Sequence, residues 1–167
     1  MSQQPSASDA PQPEFAGGEP RLVGRTRHTE LTLDEIADLQ PGLGRLMPDV
    51  SERYWILYYA AEGGNWKLAQ YCVNQIRGLF RVGATTRPNM RRYLEAFGQG
   101  HLRAIEAALA QRDFAAFEIA YRKGIDAANA MHAATNHPEV IWQLPPEPPR
   151  HLYLGPVDAE QGSTPTP

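Results

Sequence analysis

His132 is the residue of this chain best suited to chemistry, because its imidazole falls on the apolar face of a helical segment. The stripe leading to it is Phe114, Phe117, Tyr121, Ile125, Ala128 and His132, spaced as one side of a helix. An imidazole among apolar groups can ligate a metal, or it can sit as a core residue hydrogen-bonded to a backbone carbonyl. Met47 lies on the stripe of an earlier helical segment. At ~1.5 Å rise per residue, it comes level with His132 at one end of a helical bundle. A histidine facing a methionine across a bundle core is a suitable axial pair for haem iron. His132 is therefore the candidate metal ligand and Met47 the candidate sixth ligand, with a satisfied core histidine and a packing methionine as the alternative.

Other chemistry-bearing residues are less promising. His101 falls on a core stripe too, but about 14 residues past Arg87, so on the order of 20 Å from that end; a shared two-histidine metal site is not expected. His132 and His137 are five apart across a helix stop, a poor spacing for the closed sites zinc prefers. Cys72 sits on an apolar stripe and reads as an inert core thiol. The chain has no nucleophile–base–acid set, phosphate loop or H-E-x-x-H motif. No residue is assigned a catalytic role, and a non-enzymatic function is expected.

Charge is one-signed in the middle of the chain. Gly63 to Leu94 contains Lys67, Arg77, Arg81, Arg87, Arg91 and Arg92 and no acid. Arg81, Arg87 and Arg91 flank the turn between the second and third helical segments, at the end expected to carry His132. With the free N–H groups of a helix start, they favour an anion there: haem propionates, a small carboxylate or phosphate, or an acidic protein partner. A solvated basic face is the alternative. Tyr54, Trp55, Tyr58 and Tyr59 cannot all face inward, so some lie under the C-terminal segment or at a homodimer face.

Four helical segments must position these groups. The first opens at Thr32, an N-cap with acids in the first turn, and Pro41 and Pro48 break or kink it into a short helix and a longer one. Gly63-Gly64 ends it, Asn65 caps the second, and Gly83 stops that one. Thr86 caps the third, whose stripe is Met90, Leu94, Phe97, His101, Ile105 and Ala108, weakened by Gly98 and Gly100. Asp113 caps the fourth, and Asn136-His137-Pro138 stops it. Period-two alternation is absent, so strands are not expected. Short turns make this an all-α, antiparallel up-down-up-down four-helix bundle over 31–137. A disordered or loosely attached arm over 1–30 precedes it. Residues 138–167, with eight prolines among apolar groups, form an extended strap and an untethered tail.

Composition sets further limits. A net charge of −3 argues against nucleic acid as a partner. No apolar run approaches the ~20 residues that span a membrane. The start lacks the basic and apolar regions of a signal peptide, so a cytoplasmic location is expected.

The frame Ala128-Asn129-Ala130-Met131-His132, followed by Ala134-Thr135-Asn136-His137-Pro138, resembles the C-x-x-C-H region of cytochrome c-prime-like four-helix bundles. In that family the cysteines hold haem by thioether bonds, and the histidine is the proximal iron ligand. Here Ala128 and Met131 occupy the cysteine positions, so the resemblance implies a divergent member without covalent haem. Only His132 carries over. Two expectations follow: a bundle without haem that binds a ligand or partner, or a non-covalent haem b protein for electron transfer or gas binding.

Overall fold

A computed structural model of the chain describes residues 23–157. Most of the expected N-terminal arm and the last part of the expected tail lie outside the described residues. The protein is predominantly helical, and it divides into two units between Gln40 and Pro41.

The first unit corrects one expectation, because it contains strands. β1 (Val23–Arg25) pairs antiparallel with β2 (Glu30–Thr32), with Gly24 opposite Leu31. Three-residue strands are too short to show alternation in sequence. The turn between them is what organises the hairpin: the Thr26 hydroxyl accepts from the backbone N–H groups of His28 and Thr29, at 3.1 Å each. Thr32 then caps α1 (Leu33–Asp38) in a full capping box with Glu35.

The second unit holds four long helical segments among the described residues. α2 (Leu43–Glu62) follows the Pro41-Gly42 break. Pro48 lies inside it without ending it; the residue four positions back is Gly44, beside which an added Cβ would meet nothing. α3 (Trp66–Thr86) is capped by Asn65, whose side chain accepts from Leu68 N at 3.1 Å. The helix runs through Gly83, which is therefore not the stop it was expected to be. Gly83 is buried, and a Cβ there would come within 3.0 Å of Leu43 and Leu94, so the glycine permits close helix packing. Thr86 does not cap the next helix. It ends α3, and its hydroxyl donates to Pro41 O.

A 3-10 turn (Pro88–Met90) leads into α4 (Arg91–Phe97). A π-helical turn (Gly98–Leu102) separates α4 from α5 (Arg103–Gln111). The expected stripe continues past this turn, with Ile105 and Ala108 buried. Leu102, fully buried, takes the core position expected for His101, whose half-buried ring packs beside Phe97 at 5.3 Å. α6 (Phe114–Ala134) is capped by Asp113, and Asn136 takes the left-handed conformation just beyond its end. α2 packs on α3 and α6, α3 on α4 and α5, and α6 on α4 and α5, which closes the core.

Two tyrosines pin that core. Tyr54 on α2 donates to Tyr121 O, and Tyr121 on α6 donates to Tyr54 O, both at 2.9 Å, with the rings stacked 4.2 Å apart. Each buried hydroxyl is satisfied by the other residue's main chain, a net gain of about 1 kcal/mol per bond. Burial pushes both phenols well above their ordinary range, so they stay neutral.

Cys72 is buried in α3, as its stripe indicates. Burial pushes its thiol up to about 11, with Arg53 pulling the other way. A raised value in the folded state makes the linked stability full below the unfolded thiol's pKa and lost as pH rises through about 11. Iodoacetamide labelling of native protein at neutral pH is accordingly limited by unfolding, and it accelerates when urea exposes the core. Labelling of the native protein at a free-thiol rate would refute this.

Candidate ligand-binding site

The helical end that carries His132 encloses a half-open, mostly apolar cavity of about 290 Å³. Leu43, Met47 and Val50 of α2 form one wall. Phe80, Met90, Tyr93, Leu94 and Phe97 form the second, and Ala128, Met131 and His132 of α6 the third. Thr135, His137, Val140 and Trp142, which follow α6, complete the lining. The chain has four methionines, and all but Met1 face this space. Unbranched thioether side chains let such a lining adapt to an occupant.

The segment after α6 is fastened by side chains of the helices. Asn129 donates to Trp142 O at 2.9 Å and accepts from Trp142 N at 2.7 Å, a two-point clasp of the main chain. Further along, Tyr59 donates to Pro145 O at 2.8 Å and the Trp55 indole to Glu147 O at 2.7 Å. The side chain of Trp142 packs against Tyr54 at 5.3 Å and meets the His132 ring edge-on at 6.0 Å. These bonds keep Val140 and Trp142 in place as a cavity wall.

His132 sits half-buried at the end of α6, and its Nδ1 pairs with Val140 O at 2.9 Å. A carbonyl can only accept, so Nδ1 carries the proton in this pair. In the neutral ring Nε2 then holds a lone pair. Among the described residues Nε2 has no protein partner. This is the carbonyl contact of the core-histidine alternative, and it also orients the ring as a ligand or acceptor.

Met47 and His132 thus line one cavity. Arg81, Arg87 and Arg91 do not. Arg87 donates to Thr86 O at 2.6 Å, and Arg91 reaches Ala84 O from two nitrogens at 3.4 Å. Both serve the carbonyl-bearing end of α3, where cations are favoured by the helix dipole. Arg81 is exposed on the same helix. Arg77, from the same basic run, makes a two-bond ion pair with Glu106 of α5 at 2.8 and 2.6 Å. His137 is at the cavity mouth, 62% exposed and paired with Glu139. The roles of Phe80, Tyr93, Trp142 and Asn129 were not foreseen. The one available signal was the apolar content of the segment after Pro138.

The fit of a haem can be tested on this geometry. His132 offers a well-oriented nitrogen, and Ala128 and Met131 both face the cavity. The space is the obstacle. A cavity of roughly 150 Å³ holds one benzene ring, so about 290 Å³ suits a two-ring molecule. A four-pyrrole macrocycle is larger than this space. Among the described residues no cluster of three or more His, Cys, Asp or Glu side chains could hold a metal ion. No helix among them is long and apolar enough to cross a membrane.

No family model matches the chain, and neither does any curated protein or solved structure. Function is therefore read from the site itself.

Proposed function

We propose that this protein is a non-enzymatic binding module of cytochrome c-prime-like descent, which takes a compact apolar ligand into the cavity beside His132. In this reading the helices alternate in direction as an up-down-up-down bundle, and the proline-rich C-terminal segment is a strap that closes the ligand space. The observation that carries it is an apolar, methionine-lined cavity of about 290 Å³, near the lower end of ligand pockets, which run roughly 300–1,000 Å³. An apolar ligand is favoured over an anionic one because Arg87 and Arg91 are engaged with α3 carbonyls and Arg81 lies off the cavity.

The test is titration with 2-methylnaphthalene, a two-ring apolar probe, followed by its fluorescence. Met47→Trp fills the cavity from α2 and lowers affinity more than about tenfold, the effect of losing some 1.4 kcal/mol of contact. Tyr71→Trp, at an exposed α3 position away from the cavity, leaves it unchanged. Equal binding by Met47→Trp and the parent protein defeats the reading. A His132-dependent Soret band with hemin would replace it with haem b.

A further inference from the structure

Resting on that reading, we infer that the ligand is a flat two-ring molecule carrying one hydrogen-bond donor, such as a phenolic hydroxyl or ring N–H, which it gives to His132 Nε2. Three observations lead there. The walls of the cavity are apolar and partly aromatic, with Phe80, Tyr93, Phe97 and Trp142 contributing rings. Flat faces of this kind suit a planar occupant. Of the other polar side chains on the lining, the Thr135 hydroxyl donates to Met131 O and His132 O, the Tyr93 oxygen already accepts from Arg92, and the Trp142 indole N–H can only donate. His137 is largely in water at the mouth. That leaves the half-buried His132 ring as the acceptor whose orientation the protein fixes.

The bond to Val140 O decides what kind of polar group His132 accepts. With the proton held on Nδ1, Nε2 of the neutral ring presents a lone pair and no hydrogen. A carbonyl or ether on the ligand finds no donor at Nε2, whereas a hydroxyl or N–H finds an acceptor. The asymmetry is large enough to select between molecules, because an unmatched buried polar group is penalised more than a matched one is rewarded. The same bond ties selection to the wall: Val140 fixes the ring, and the fixed ring chooses the ligand's donor.

Three probes of similar size separate the possibilities: 2-naphthol, 2-methoxynaphthalene and 2-methylnaphthalene, titrated in mildly alkaline buffer, where free imidazole is neutral. The expected result is about tenfold tighter binding of 2-naphthol than of the other two. His132→Asn keeps a donor near the Nδ1 position for Val140 O but has no counterpart of Nε2, so it binds all three alike. His137→Asn retains the preference for naphthol. In ¹⁵N-labelled protein, 2-naphthol shifts the His132 Nε2 resonance and 2-methylnaphthalene leaves it in place. Equal affinities in the parent protein overturn this inference while leaving an apolar-ligand site standing. A naphthol preference that survives His132→Asn, or disappears in His137→Asn, also overturns it. Failure of all three probes to bind removes the ligand-binding reading, and this inference with it.

Discussion

Gly124→Ala lowers stability to urea by about 2 kcal/mol, although alanine is the better helix former. Gly124 lies within α6, where replacing glycine by alanine normally adds up to about 1 kcal/mol. Here a Cβ would collide with the Tyr54 hydroxyl oxygen and lie 3.3 Å from the ring carbon that bears it. Overpacking of this kind costs about 1–3 kcal/mol, and displacing the hydroxyl adds the lost bond to Tyr121 O, about 1 kcal/mol more. The two losses outweigh the helix gain. Gly78→Ala is the control: nothing lies near its Cβ position, so the helix gain of up to about 1 kcal/mol stands alone. Tyr54→Phe in the Gly124→Ala background recovers part of the loss by removing the colliding oxygen. If Gly124→Ala and Gly78→Ala shift the urea midpoint in the same direction, the close approach of Tyr54 to Gly124 has been misassigned.

Trp142→Ala acts on both stability and binding. Truncating a fully buried large aromatic costs about 3–5 kcal/mol. Trp142 is half-buried, so a loss of about 2 kcal/mol is expected. The variant keeps the Asn129 bonds, which use only the main chain, but removes the ring that packs on Tyr54 and His132. The cavity loses a wall, and affinity for 2-methylnaphthalene falls at least about tenfold. Ile141→Ala, next in sequence but 73% exposed, changes neither property by more than about 0.5 kcal/mol. Comparable losses from the two variants would show that general disruption of the segment, and not this ring, is responsible.

What was legible in the sequence follows from the range of the interactions concerned. The caps at Thr32, Asn65 and Asp113 and the left-handed Asn136 were readable because each is settled within four residues. The apolar stripes of α2, α3 and α6 were readable because burial repeats with the helix period. Gly83 was misread because glycine that ends a helix and glycine that admits a neighbouring helix look alike until Leu43 and Leu94 are in place. His101 falls at the edge of its stripe, half-buried beside Phe97, because Leu102 next to it fills the core. In the site, His132 and Met47 could be put at one end by counting residues. The clasp of Asn129 on Trp142 could not, since it depends on how the chain turns back after Pro138. The arginines illustrate the same limit: their charge was visible, but not the carbonyls that occupy Arg87 and Arg91.

The crossed tyrosines bear on how a molecule gets in and out. Each phenol terminates on the opposite backbone, so α2 and α6 cannot slip along one another without severing both bonds together. Widening the mouth by shear is thereby resisted, and adjustment of the half-open cavity is left to the wall between Val140 and Trp142, which Asn129, the His132 ring and the main-chain bonds of His137 and Val140 hold in place. For the occupant proposed above, loosening of that wall runs through the Asn129 and His132 tethers, so a part-buried amide sets the pace at which the space adapts.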